Sequence, residues 1–448
     1  MANAGGQREG SFVLRESIPW RPEQEGKFAG AAFLTQLGPG LISGAADDDP
    51  SGIATYSQVG AEFGYAMLWS MVFSFPLMVA IQEICGRLGR ITGVGIAANL
   101  KKVYPQYVAF CVVLLLCAAN LFNLGADISA MGSVTQLALG GSATVYAVIL
   151  GAFSVLLQIF VPYRRYVRYL RWLTWSLFAY VATAFLVHIS WASALRAALL
   201  PSISLKTEYL MALVGVLGTT ISPYLFFWQT SEEAEEVRVD PNESPVKKKP
   251  GRAKAHFQRI AVDTRVGMAF SNIVAFFIIL TTAATLHASG NGQEIQSAAD
   301  AAKALEPLAG KSAFLLFALG IVGTGLLAIP VLAGSAAYAV AELFRWRASL
   351  ERRPEKASKF YAVLAIATIA GLGLNFFGLD PIRALFLSAV INGIVASPLM
   401  FLIMLLAGHR AVIGQFRLPR YLRVGGWVAT AVMFAASLLF IGSWARGL

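Results

Sequence analysis

Asp47, Asp48 and Asp49 stand in a row and are followed by Pro50, Ser51 and Gly52, inside a stretch that is otherwise apolar. Three carboxylates with no base or thiol beside them suit one kind of chemistry, which is holding a cation. Pro50 removes a backbone donor and clashes with the preceding turn. It also pushes Asp49 out of helical geometry, and Gly52 adds backbone freedom. A helix is expected to break here. In a membrane each Asp costs about 2.5–3.5 kcal/mol on insertion scales, so the row needs compensation. A bound cation is the natural one; a water-filled cavity mouth or a proton would also serve. Asp49 abuts the break and is the expected ligand. Consecutive residues cannot all point at one ion, which leaves Asp48 and Asp47 open.

A second break is expected at Gly215 and Gly218-Thr219-Thr220-Ile221-Ser222-Pro223-Tyr224, where proline again follows small polar residues in an apolar run. Oxygen atoms near Ala46, Thr219 and Ser222 are then placed to join Asp49. Asn120, Asn123 and Asp127, spaced by three and four, share one helix face. They read as a stripe along an aqueous path, with interhelical hydrogen bonding as the alternative for the asparagines. Asn392-Gly393 and Ser397-Pro398 interrupt another apolar run and could line the same site.

The elements that must position these residues are membrane spans. Of 448 residues 57% are hydrophobic and 14% charged, against about a quarter charged in soluble domains; the mean hydropathy is +0.63. The apolar residues come in blocks near the ~20 residues that cross a bilayer. Eleven spans are expected, near 31–58, 65–88, 107–137, 143–161, 169–190, 209–231, 264–287, 312–342, 358–377, 382–407 and 424–444. The broken spans are the first and the sixth, five apart, as in a five-plus-five inverted repeat. Paired broken segments are the best sequence pointer to a transporter's binding site.

Basic residues alternate between loops. One set holds Arg87, Arg90, Lys101, Lys102, Arg164, Arg165, Arg168, Arg171, Lys247, Lys248 and Lys249, and continues through Arg345 and Arg347 to Arg410, Arg417, Arg420 and Arg423. The other holds little beyond Arg196, Lys206, Lys303, Lys311 and Arg383. This places the N-terminus inside and the C-terminus outside. It also accounts for the net charge of +11 without nucleic acid. Residues 1–30 read as a cytoplasmic segment without a signal sequence, 31–407 as a ten-span core, and 408–448 as a connector and eleventh span. Residues 232–263 read as a flexible, solvated cytoplasmic loop. Cys85, Cys111 and Cys117 lie in apolar runs and form no framework. The scattered His188, His256, His287 and His409 do not suggest a zinc site. With no HExxH, phosphate loop or nucleophile–base pair, an enzyme is not expected.

Gly38-Pro39-Gly40 leading into Asp49-Pro50-Ser51-Gly52 resembles the Nramp family of divalent metal transporters. So do Ile81-Gln82, Leu88-Gly89-Arg90-Ile91-Thr92-Gly93 and Ala126-Asp127-Ile128. The resemblance implies a LeuT-like, all-α polytopic fold in the cell membrane, which is the cytoplasmic membrane if the source is bacterial. It also implies a divalent metal as cargo and no resident cofactor. The chain departs from the family at its site. The family's metal-binding asparagine falls on Gly52, its Met-Pro-His on Ser222-Pro223-Tyr224, and its second third-span acid on Ala130. In these departures the chain resembles the Nramp-related magnesium transporters.

A soft sulfur ligand favours transition metals, and its loss leaves an oxygen site. Mg²⁺ prefers oxygen and keeps waters. The expected function is therefore import of a divalent cation, Mg²⁺ or else Mn²⁺, by alternating access without strict proton coupling. Asp49, Ala46, Thr219, Ser222, Asp48, Asp127 and Asn392 are the expected metal site, and the lipid bilayer is the expected partner. A proton-coupled Mn²⁺/Fe²⁺ importer is the first alternative. A sodium-coupled amino-acid symporter on the same scaffold is the second, disfavoured because acids at the break would repel a substrate carboxylate.

Overall fold

The computed structural model describes residues 43–447 except 45, 162–172, 240–242, 289–294, 296, 351–353 and 379. The N-terminal segment 1–30, the Gly38-Pro39-Gly40 lead and the Arg164–Arg171 cluster lie outside the described residues.

Among the described residues all regular structure is helical. After the helical residues 43, 44, 46 and 47 the chain forms α1 (Pro50–Phe63), α2 (Leu68–Thr92), α3 (Ile96–Val103), α4 (Gln106–Leu139) and α5 (Ala143–Phe160). Next come α6 (Phe178–Leu186), α7 (Trp191–Leu199), α8 (Thr207–Thr220), α9 (Pro223–Val239) and α10 (Ala253–Thr282). The series closes with α11 (Ala313–Leu343), α12 (Ser358–Gly373), α13 (Pro381–Gly408) and α14 (Arg420–Arg446). Among the described residues eight helical stretches are long and apolar enough to cross a membrane, and Trp175–Leu186 and Ser358–Gly373 are shorter apolar helices. Each expected span meets a helix. The short helices α3 and α7 were not anticipated.

Both expected breaks are present. The first lies at Asp48–Asp49, where the backbone leaves the helix and Asp49 turns extended at φ −70°, ψ 169°. The second lies at Ile221–Ser222, between the end of α8 and Pro223, the first residue of α9. Each new half-helix starts on proline, whose missing N–H costs nothing at that position. α8 packs on α1, and α13 and α10 flank α1. The helix before the first break lies backbone-to-backbone on α10. A Cβ on Gly44 would stand 2.2 Å from the Gly267 carbonyl oxygen, so only glycine permits that approach.

The expected flexible loop 232–263 is largely helix. Residues 232–239 continue α9 and 253–263 begin α10. The reason is ion pairing. Arg259 reaches Glu233 at 2.6 Å and Glu236 at 3.0 Å. Arg90 reaches Glu243 at 2.6 Å and Glu236 at 3.5 Å. Glu83 takes Arg87 at 2.7 Å, Arg265 at 3.6 Å and the Tyr421 hydroxyl at 3.0 Å. Glu235 accepts from Tyr338 and Ser349. Glu342 accepts from the Gly95 and Ala98 amides at the start of α3, at 2.7 and 3.2 Å. These contacts tie α2, α3, α9, α10, α11 and α14 at one end of the bundle.

Candidate functional site

Asp49 is the N-cap of α1. Its Oδ1 accepts from the Gly52 amide at 2.8 Å and from the Ser51 hydroxyl at 2.6 Å. Capping of this kind satisfies a donor that a helix start otherwise leaves open. It also fixes the carboxylate so that Oδ2 points across the break. There Oδ2 accepts from Asn123 Nδ2 of α4 at 2.9 Å and lies 3.5 Å from the Tyr224 hydroxyl of α9. Tyr224 donates to the Ala46 carbonyl at 3.1 Å. One hydroxyl thus spans the two oxygens expected to share an ion, those of Ala46 and Asp49, and joins the two broken helices.

Asp127, one turn beyond Asn123, is fully buried. Neither of its carboxylate oxygens has a hydrogen-bond partner of good geometry, and the backbone donor beside it is the Ser51 amide. The Asn123 side-chain oxygen is also without a partner. In a low-dielectric interior such orphaned acceptors are expensive, and each calls for a proton, a water or a cation.

The other expected site residues divide. Asp48 turns away with Asp47 toward α10, where Ser271 Oγ lies 3.0 Å from Asp48 Oδ1 and 2.6 Å from Asp47 Oδ2. A hydroxyl has one proton, so it serves one of these carboxylates at a time. Asp47 Oδ1 and Asp48 Oδ2 have no partner. Ser222 sends its hydroxyl back to the Gly218 and Thr219 carbonyls, at 2.8 and 2.7 Å, closing the end of α8. Thr219 Oγ1 lies 2.9 Å from both the Tyr56 hydroxyl and the Val216 carbonyl. Asn392 is buried on α13 with its side-chain oxygen unpartnered.

The expected polar stripe on α4 splits. Asn120 Nδ2 donates to the Leu332 carbonyl at 2.9 Å and to Ser335 Oγ at 2.7 Å on α11, so it joins helices rather than lining a path. Asn123 does the opposite and faces Asp49. Sequence reading missed three participants, Asn123 as partner of Asp49, Tyr224 as a bridge, and Ser271. The signals were there: Asn123 lies four residues before Asp127, Tyr224 follows the second break's proline, and Ser271-Asn272 is a polar pair in an apolar span.

Among the described residues no ion pair involves Asp47, Asp48, Asp49 or Asp127. No three His, Cys, Asp or Glu side chains there form a metal-holding group. A cation bound at the break would therefore draw on carbonyl, amide and water oxygens as well as carboxylates.

A family profile described as natural resistance-associated macrophage protein-like, Nramp, matches residues 40–443. A divalent metal cation transporter MntH of Klebsiella pneumoniae strain 342 is 25% identical over 418 residues, covering 92% of this chain and 94% of that protein. MntH of Pectobacterium carotovorum is 25% identical over 421 residues, covering 91% and 94%. The fold matches a solved manganese transporter of Eremococcus coleocola in complex with an aromatic bis-isothiourea compound. That match has a TM-score of 0.72 and 18% identity, and covers 94% of this chain and 89% of the other. An inward-facing structure of Mhp1 matches more distantly, with a TM-score of 0.53, 14% identity and coverage of 92% and 91%.

Proposed function

The chain belongs to the Nramp family and is a multi-pass membrane transporter, and on that footing we propose that it moves a divalent metal cation, Mg²⁺ in preference to Mn²⁺, through a site centred on Asp49. One observation carries the proposal: four buried aspartates surround the first break with no basic side chain paired to any of them among the described residues. A protein that leaves such charge uncompensated where its helix is broken is built to receive the compensation from solution.

In this reading the ion is held by Asp49 Oδ2, the Ala46 carbonyl and Asp127, with waters completing the shell. Asn392 closes from α13. Thr219 and Ser222 shape the second break, and Asp48 stays with Ser271. The departures at Ser222 and Tyr224 support Mg²⁺, because they leave no sulfur at the sixth-span position and an oxygen-only set beside Asp49. Mg²⁺ binds at 2.0–2.1 Å and is usually held by one or two carboxylates plus water. An inward-negative potential favours entry of a divalent ion by about 4.6 kcal/mol per 100 mV, twice the unit-charge value, so import does not require a proton.

Rocking of the broken helices about the site would give alternating access. The test is uptake into proteoliposomes loaded with a Mg²⁺-sensitive dye. Wild type fills the vesicles and Asp49→Ala does not; equal uptake by both would remove the site assignment.

A second reading, proton-coupled import of Mn²⁺, is favoured by the names of the relatives, MntH and manganese transporter. It is favoured too by the unpartnered Asp127 carboxylate, which could carry a proton. Acidification of the vesicle lumen in step with Mn²⁺ entry would establish it over the uncoupled reading.

A further inference from the structure

We propose that Asn123 is itself a ligand of the transported ion, offering its side-chain oxygen to a hard divalent cation seated on Asp49. The inference rests on the reading of Asp49 as the cation seat and adds a ligand from a helix outside the two broken ones.

The geometry is already that of a coordination edge. Two oxygens bound side by side to an octahedral ion at 2.0–2.1 Å are about 3.0 Å apart. Asn123 Nδ2 stands 2.9 Å from Asp49 Oδ2. That is an ordinary hydrogen-bond length and also the spacing of two neighbouring ligand atoms, so the nitrogen stands where a second ligand of an ion on Asp49 would stand. A half-turn about the Cβ–Cγ bond exchanges the two nearly isosteric ends of a carboxamide and puts Oδ1 there without moving the backbone. Nothing among the described residues holds that oxygen where it is: Asn123 is fully buried and its Oδ1 has no hydrogen-bond partner. The amide NH2 released by the turn has an acceptor one helical turn away, the oxygen of the Asp127 carboxylate that the ion does not use, both of whose oxygens are otherwise unpartnered; side chains four apart on a helix are neighbours.

Two states follow from one side chain. With no ion, Asn123 donates to Asp49 and offsets part of its charge. With an ion, it turns its oxygen inward and donates to Asp127. Gly52, three residues after Asp49 on α1, carries no side chain and so offers no oxygen there. The oxygen that cannot come from α1 comes from α4.

Calorimetric titration of the purified full-length protein with Mn²⁺ and with Mg²⁺ tests this, on wild type, Asn123→Ala, Asn123→Asp and Asp49→Ala. Cation-free melting of all four confirms that each is folded. Asn123→Ala is expected to bind at least about 10- to 100-fold more weakly, the range found when even a partner that only orients a metal ligand is lost. Asn123→Asp keeps the oxygen and loses the N–H donor, so it is expected to bind at least as tightly as wild type. If Asn123 serves only to aim Asp49 through its N–H, Asn123→Asp falls with Asn123→Ala and the inference is overturned. Asn123→Ala binding within twofold of wild type overturns it as well. If Asp49→Ala binds like wild type, or wild type binds neither ion, the seat itself is wrong and both readings fall. Loss of binding in Asp49→Ala alone leaves the seat standing and removes Asn123.

Discussion

Two groups of acids in this chain, one buried or half-buried and the other buried throughout, are treated in opposite ways. At one end of the bundle Glu83, Glu233, Glu236, Glu243 and Glu342 each have an arginine within 4 Å. At the first break Asp47, Asp48, Asp49 and Asp127 have hydroxyls, amides or nothing. The first group is compensated within the chain and locks six helices together. The second is left short of positive charge where two half-helices meet. Burial alone therefore does not set the proposed site apart; what does is four neighbouring aspartates with no basic side chain paired to them among the described residues. Buried pairs are costly to break because removing one partner strands the other. Unpaired acids should respond to neutralisation in the reverse sense.

The largest effect that could break this comparison is at the paired end. Arg259→Ala strands Glu233, which is buried, and should destabilise the protein by about 3–5 kcal/mol. The measurement is thermal or denaturant unfolding in detergent, and a loss under 1 kcal/mol would remove the distinction between the groups. In cation-free buffer Asp47→Asn should leave stability unchanged or raise it, because it removes an uncompensated charge beside Ser271. Added divalent ion should stabilise wild type by about 2.7 kcal/mol at a hundredfold excess over its Kd, read as a rise in melting temperature. Asp49→Ala should lose that rise while Arg259→Ala keeps it from its lower baseline.

The smallest effect sharpens the split between neighbours on α4. Asn120→Ala removes two bonds to α11 and should cost about 1 kcal/mol, since interhelical bonds in membranes average near 0.6. Its divalent affinity, measured by titration, should not change.

The breaks were legible because they are written locally: proline after small polar residues inside an apolar run needs no tertiary information. The helix series was legible for the same reason, through run lengths. The fate of each charge was not, because its partner lies far along the chain. Arg90 and Glu243 are 153 positions apart, and nothing local separates the glutamates of 232–236 from a solvated loop. Asn120 and Asn123 read alike as members of one stripe. A rotation of about 300° around the helix, three residues at 3.6 per turn, leaves their faces 60° apart. That was enough to send Asn120 to α11 and Asn123 to Asp49. Ser222 is expected near the ion because its residue type suits a ligand, and a hydroxyl that donates its proton still has an oxygen to offer. What the sequence does not show is that this proton goes to the carbonyl end of α8.

We propose that the acids at the first break receive their compensation from the transported ion. An anomalous-scattering map from crystals soaked in Mn²⁺, repeated with Mg²⁺ in competition, tests it most directly. One peak is expected in direct contact with the Asp49 carboxylate and the Ala46 carbonyl, lost when Mg²⁺ displaces Mn²⁺. A peak lodged instead among Glu83, Glu233 and Glu243, or none at the break in protein that still transports Mn²⁺, would contradict it.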